Sequence, residues 1–221
     1  PLRKILTFSE LLRQRYDGII DERGRDYLVR MERAAERLHE LINEMLEYSH
    51  ITTRAQPFEQ VNLNEITQQV LSDLDLQIEE TGARVEVSDL PSLEAEPTQM
   101  YQLIQNLVSN ALKFQEADSQ PVIKISATQT SATTRETNGM VSLTVSDNGI
   151  GFDEKYLDRI FQPFQRLHSS DEYEGTGMGL AICRKIIERH GGSITARSSP
   201  GQGTTFVASL PVSQKYGERN R

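Results

Sequence analysis

Cysteine occurs once in the 221 residues, at position 183. An internal disulfide is therefore excluded, and the usage suits a reducing compartment. Long apolar runs are missing too. No stretch reaches the roughly 18 residues needed to span a bilayer, and no apolar leader follows the opening Pro-Leu-Arg-Lys. The chain starts with proline rather than an initiator methionine, which points to a piece of something longer. Positive charge is in deficit, with a net −8 and no basic stripe, so nucleic acid is not an expected partner. The deficit is uneven. Residues 1–56 hold ten basic and ten acidic side chains, whereas residues 57–221 hold fourteen and twenty-two and carry the whole imbalance. An acidic body that binds a polyphosphate needs a metal ion to offset the repulsion. What is present, 37% apolar and 25% charged residues, is enough for a core in one or two domains.

Residues 2–15 and 22–53 both read as helices. In the second, Leu28, Met31, Ala35, Leu38, Ile42, Met45 and Ser49 recur at steps of three and four, a heptad seam. Ala34, Leu41 and Tyr48 add a second stripe beside it. The first helix offers only a short face through Leu2, Ile5, Leu6 and Leu12. The seam is wider than one partner helix covers and predicts a four-helix bundle made of two hairpins from two chains, the alternative being an ordinary pair within one chain. Asp17-Gly18 is a turn signal and Asp21-Glu22 suits a helix start. Gln56-Pro57 ends the long helix, since the residue before proline is pushed out of the α region.

Beyond that boundary the pattern changes to mixed α and β. Asn62-Leu-Asn-Glu65 has the spacing of a capping box, and Leu63, Ile66, Val70, Leu74 and Ile78 follow at helical period until Gly82. Strands are expected at 84–88, 121–130, 140–147, 193–199 and 204–211, with a polar loop at 131–139. A helix over 97–114 enters through Pro97 and carries an apolar stripe from Met100 to Ala111. On its flank Asn106, Asn110 and Lys113 fall within about 60° of each other. That trio is either a solvated polar face or a site for a metal-bound phosphate, because an Asn oxygen can join Mg²⁺ and lysine offers a point charge.

Asp147-Asn-Gly-Ile-Gly151 follows a strand directly; it is either a simple turn or a carboxylate placed to accept a hydrogen bond from the amine of a planar base. Phe161-Gln-Pro-Phe164 precedes an aperiodic polar run, 165–174, of lid-like length. That run ends at Gly175-Thr-Gly-Met-Gly-Leu180, with a helix from Leu180 to His190 behind it. Glycines admit a close backbone approach and a helix N-terminus supplies free N–H groups, so this stretch is either a turn or a phosphate cradle. Cys183 shares a helix face with Leu180 and Ile187 and reads as core.

The order of these boxes resembles the catalytic core of a bacterial-type sensor histidine kinase over residues 1–211. Gln105–Phe114 is similar to its N box, Phe161–Phe164 to its F box, and Asp147–Gly151, Gly175–Leu180 and Gly201–Phe206 to its glycine boxes. The resemblance implies an α+β protein with three parts. Residues 1–55 would form a dimerisation and phosphoacceptor hairpin, 56–212 a two-layer α/β sandwich with a mixed sheet that binds ATP and Mg²⁺, and 213–221 a polar tail.

It also implies roles for single residues. Asn110 would hold the metal, with Asn106 and Lys113 at the phosphates and Phe114 beside the nucleotide. Asp147 would take the adenine amine, with Gly149 and Gly151 permitting the approach. Gly175, Thr176, Gly177, Met178, Gly179 and Leu180 would cradle phosphates, Thr205 would lie by the base, and Arg166 would reach the terminal phosphate. Phe161, Phe164, Gln165 and His168 would form the lid.

The family's phosphoacceptor histidine precedes a proline that matches Pro1, so it is expected just upstream, and this segment alone is not expected to phosphorylate itself. None of His39, His50, His168 and His190 stands in that motif; His39 and His50 read as polar helix-face residues, His168 as lid and His190 as a helix C-terminal charge. ATPases of the chaperone and mismatch-repair type place a glutamate where Asn106 stands, and asparagine cannot activate water as that base does. A dimeric scaffold that binds nucleotide only for regulation is the reading of a different class. Expected partners are a second copy and a response-regulator receiver domain, with no nucleic acid and no membrane contact within the segment, in the cytoplasm.

Overall fold

Two helices, α1 (Leu2–Tyr16) and α2 (Glu22–Thr53), pack against each other as a hairpin ahead of a sheet-and-helix body. The computed structural model describes residues 2–16, 18–53, 56–116, 119–130, 139–167, 173 and 175–214. The expectations for Asp17, the 131–138 part of the polar loop, His168 with most of the lid run, and the tail from 215 fall outside the described residues.

Asp21 starts α2 by accepting the Gly24 N–H at 2.8 Å. At 1.5 Å per residue α2 is about 48 Å long and α1 about 22 Å, so α1 covers only part of its partner. The C-terminal half of α2 lies instead against α7 (Gly179–Arg189) of the body. Between these contacts Met31, Leu38, Ile42 and Met45 of the heptad seam stay about half exposed or more.

The body is a two-layer sandwich. Its sheet runs in the order β2 (Arg84–Val87), β4 (Val122–Thr130), β5 (Met140–Asp147), β7 (Thr204–Pro211), β6 (Ser193–Ser198). The β2–β4 pair is parallel and the rest antiparallel, so the sheet is mixed. Residues alternate across it. Val141, Leu143 and Val145 of β5 and Phe206, Ala208 and Leu210 of β7 face the core, under a layer formed by α3 (Leu63–Asp73), α5 (Pro97–Lys113) and α7.

Three details depart from the sequence reading. The helix expected from 63 to 81 bends at Leu74, giving α3 and then α4 (Asp75–Thr81). Leu74 N–H still bonds Val70 O and Ile78 N–H still bonds Leu74 O, so the apolar stripe survives the bend. The capping box closes through side chains: Asn62 accepts the Asn64 N–H at 3.0 Å and donates from Nδ2 to Glu65 at 3.0 Å. Two strands have no counterpart in the expectations, β1 (Glu59–Asn62) and β3 (Ser92–Ala95), which pair antiparallel in a separate small sheet. A 3₁₀ turn (Glu154–Tyr156) leads into the single turn α6 (Leu157–Ile160).

Candidate functional site

The sandwich opens at one end of α5. Glu96 caps the start of that helix by accepting the Thr98 and Gln99 N–H groups at 3.2 and 2.9 Å. Buried Met100, Leu103, Ile104, Leu107, Val108 and Ala111 seat it on the sheet. The flank left over carries Asn106, Asn110 and Lys113, and all three line a cleft of about 400 Å³. That volume lies in the range of small-molecule sites, typically about 300–1,000 Å³. Among the described residues the Asn106 Nδ2 is buried without a hydrogen-bond partner, which leaves a donor for a ligand to satisfy.

Asp147 reaches the same cleft from the end of β5. Its Oδ1 accepts from Gly149 N at 2.9 Å and from Thr204 N at 3.1 Å, and among the described residues no donor meets Oδ2. Burial holds its carboxyl above the usual carboxylate range, opposed by those two bonds. The loop behind it is tied down, with Ile150 N–H on Phe114 O at 3.0 Å and Gly201 N–H on Ile150 O at 2.7 Å. A Cβ at Gly149 would stand 2.0 Å from Phe114 O, so only glycine lets the two backbones meet there.

The glycine stretch forms the opposite wall. Gly175, Thr176, Gly177, Gly179 and Leu180 line the cleft, and α7 begins at Gly179 with its N-terminus beside it. A Cβ at Gly175 would sit 2.7 Å from Lys113 Nζ, which places the ammonium against the turn. Gly177 has φ 81°, and a Cβ there would meet Gln165 O at 2.7 Å. Thr176 Oγ1 accepts the Met178 N–H at 3.3 Å. Gln165 and Arg166 reach the cleft from the lid side, and Arg166 donates to Tyr173 O at 2.5 Å.

Four expected residues are placed elsewhere. Thr205 points to the outer face of the sheet, hydrogen-bonded to Ser146 at 2.8 Å, because strand alternation turns it away; Thr204 lines the cleft in its stead. The Met178 side chain is buried in the core, so the residue offers the turn its backbone only. Phe161 is a core residue packed edge-on to Phe206 at 6.4 Å, an anchor at the root of the lid rather than part of it. Phe164 is exposed, in a left-handed conformation (φ 62°), outside the cleft lining.

His190 also differs from its expectation as a helix-end charge. It is fully buried, its Nδ1 bonds Ile186 O at 2.7 Å and its Nε2 accepts the Glu96 N–H at 3.1 Å, so it is a neutral imidazole. Burial lowers its pKa accordingly. Cys183 is core as expected, its thiol pushed up to about 12 by burial.

Sequence reading placed Lys113 and Phe114 at the cleft but missed Tyr173, Glu40 and Glu44, which complete its walls. Phe114 and Tyr173 face each other at 5.0 Å, with Lys113 Nζ 4.7 Å from the Phe114 ring, which makes an aromatic and cationic side. Tyr173 sat in an aperiodic run that gave no signal. Glu40 and Glu44 come from α2, more than sixty residues earlier in the chain than Asn106, and only tertiary packing brings them there.

A single cleft that gathers an Asn/Asn/Lys helix flank, a buried strand-end aspartate and a glycine turn leading into a helix calls for comparison with known proteins. The family model for histidine kinase-, DNA gyrase B- and HSP90-like ATPases matches residues 95–214. The chain belongs to that family. The His kinase A (phospho-acceptor) domain matches residues 1–54, so the whole has the layout of a sensor histidine kinase catalytic core.

Among curated relatives, the phytochrome-like protein Cph1 of Synechocystis sp. is 39% identical over 212 residues, covering 96% of this chain and 27% of Cph1. The chain thus spans about a quarter of the length of the curated relatives it matches. Among solved structures, the catalytic domain of histidine kinase ThkA is 28% identical with a TM-score of 0.57, covering 72% of this chain and 99% of that one. Full-length ShkA, at 22% identity and a TM-score of 0.65, shares the fold over 97% of this chain and 47% of its own. Among the described residues no helix is long and apolar enough to cross a membrane.

Proposed function

We propose that the cleft binds MgATP, and that the parent protein transfers the γ-phosphoryl group to a histidine of the helical hairpin and from there to a response-regulator aspartate. The observation that carries this reading is the convergence of Asn106, Asn110, Lys113, Asp147, Arg166 and the Gly175–Gly179 turn, from segments far apart in sequence, on one cleft. Asp147, its Oδ1 already engaged, offers Oδ2 to the adenine amine. The turn and the start of α7 offer N–H groups to phosphates, with Lys113 and Arg166 as cations.

Among the described residues no cluster of three or more His, Cys, Asp or Glu stands ready to hold a metal. The donors present suit a Mg²⁺ that keeps water and phosphate ligands and adds the Asn110 oxygen, and bound there it would neutralise charge on the phosphates. In the transfer an imidazole nitrogen forms a bond to the γ-phosphorus while the bond to the bridging β,γ-oxygen breaks and ADP leaves. The chain's contribution is positioning and charge stabilisation. Asn106, an amide, is no base for water, which favours transfer over hydrolysis.

The half-exposed seam of α2 supports a homodimer, in which a second hairpin covers Met31, Leu38, Ile42 and Met45 as a four-helix bundle. Residues 1–55 and 56–212 are then the two working units, the segment belonging in the cytoplasm, and signalling shifts one unit against the other. The test is to incubate the full-length parent with γ-labelled ATP. Acid-labile, alkali-stable label on a hairpin histidine is the expected result. Saturable nucleotide binding without any such label would leave a regulatory scaffold instead.

A further inference from the structure

The cleft has a wall that nucleotide binding does not call for. α2 crosses it, and Glu40 and Glu44 line it beside Asn106, Asn110 and Lys113. Glu44 is held there: among the described residues its Oε2 is buried without a partner, and its carboxyl shares the lining with Thr176 and lies in the field of Lys113. These are two of the groups assigned above to the phosphates. The docking of α2 is secured further along, where Gln99 Nε2 donates to Ile51 O at 3.0 Å, Gln102 Nε2 donates to Glu47 at 2.9 Å and Lys185 stands over the Tyr48 ring at 5.6 Å.

We propose that Glu44 is a specificity-determining residue of the nucleotide cleft: with α2 docked, it occupies the Lys113–Thr176 end and sets affinity by the number of phosphates the ligand carries. The inference rests on the nucleotide reading given above. A carboxylate and a terminal phosphate repel each other in a partly desolvated cleft, and both draw on one ammonium. Adenosine meets no such opposition, ADP meets some, and ATP meets most. Full engagement of ATP then requires Glu44 to withdraw, which couples the terminal phosphate to undocking of α2. Burial and the neighbouring Glu40 and Glu47 raise the pKa of Glu44, as expected for a carboxylate held against its preference.

The test is calorimetric titration of the chain and its Glu44→Gln variant with MgATP, MgADP and adenosine. Glu36→Gln, the same charge change on an α2 residue outside the cleft lining, is the control. Glutamine keeps the shape and an acceptor for Thr176 while removing the charge. Glu44→Gln is expected to bind MgATP about five- to tenfold more tightly, MgADP with a smaller gain, and adenosine as before. Equal gains for all three ligands, an equal gain from Glu36→Gln, no gain, or weaker MgATP binding would each overturn the proposal, the last by making Glu44 a cation ligand. Adenosine and ADP binding that stays intact in those cases leaves the nucleotide reading standing. No binding of any ligand by either protein removes both.

Discussion

The long helix α2 and the shorter α5 are both amphipathic, yet they are buried to opposite degrees. Over 32 residues α2 buries only Leu28, Ala35 and Ile51, whereas α5, over 17, buries its whole apolar stripe from Met100 to Leu112. The helix that is closed within the chain serves as scaffold for the cleft. The one that is open presents the surface on which the dimer proposed above rests. Apolar periodicity alone does not separate these cases, since both sequences repeat at three and four. The separation comes from what the rest of the chain can lay over each stripe: a five-stranded sheet and two helices over α5, a helix of half the length and one flank of α7 over α2.

The comparison breaks most sharply by removing equal side chains from the two helices. Leu107→Ala, at a site 1% exposed, is expected to cost about 3 kcal/mol of body stability through lost burial and a cavity. Ile42→Ala, at 49% exposure, should cost well under half of that in dilute monomer, by loss of about half the burial. In concentrated protein it should instead shift the dimer dissociation constant. Denaturant midpoints for both variants, with sedimentation across a concentration series, check this. Equal loss in dilute monomer would mean that α2 is already covered in one chain.

A second contrast lies inside the body, between its core and its site. Asp147 is a carboxyl whose pKa is raised by burial, so the native state holds its proton more tightly than the unfolded chain does. Stability therefore falls as pH rises from the ordinary carboxylate value through the native one, and at neutral pH the ionised group weakens the fold. Asp147→Asn keeps an Oδ1 acceptor for Gly149 and Thr204 and removes the charge. The expected outcome is a melting temperature no lower than that of the parent, together with at least about tenfold weaker ATP binding, a bond to a charged group being worth about 1.5–3 kcal/mol. A variant that melts earlier and still binds would make Asp147 a structural residue.

Much of this was legible in the sequence because glycine, proline and period-two or period-3.6 patterns act locally. The bounds of α2 and β7, the proline entry to α5 and the arrival of Asn106, Asn110 and Lys113 on one flank all follow from such patterns. The errors have equally physical causes. Thr205 and Thr204 are adjacent and alike, and which of them faces inward depends on the register with β5, where Ser146 pairs with Thr205 and Val145 with Phe206. Phe161 and Phe164 flank one proline, but only Phe161 finds Phe206 to pack on. His190 at a helix end resembles a dipole-stabilising cation until the Glu96 N–H closes over it. Glu44 gives no local sign of facing the cleft at all.

The joint between hairpin and body supplies the smallest expected effect. Gln56 O and Gln99 Oε1 each accept from Arg189 at 2.8 Å, the Arg189 guanidinium lies over Phe58, and the Phe58 ring leans on His190 at 4.8 Å. His190 in turn holds Glu96, the cap of α5. Its pKa is lowered first by burial and then by the Arg189 charge, against the Ile186 carbonyl and Glu96. The unfolded chain thus binds a proton that the native imidazole refuses. The sign follows: stability is full above the unfolded value of about 6.5 and falls as pH drops from there toward the lowered native value, by at most about 1.4 kcal/mol per pH unit for one proton. His190→Gln keeps an acceptor for the Glu96 N–H but does not titrate. It should be less stable at pH 7.5 by about 1 kcal/mol, for the lost Ile186 bond, and flatter between pH 6.5 and pH 5. Parallel pH profiles for the two proteins would mean that the slope arises elsewhere, and that the joint is not held by a neutral imidazole. A flattened profile in which nucleotide affinity also drops would tie the cap of α5, and with it the Asn106–Lys113 flank, to the seating of the hairpin.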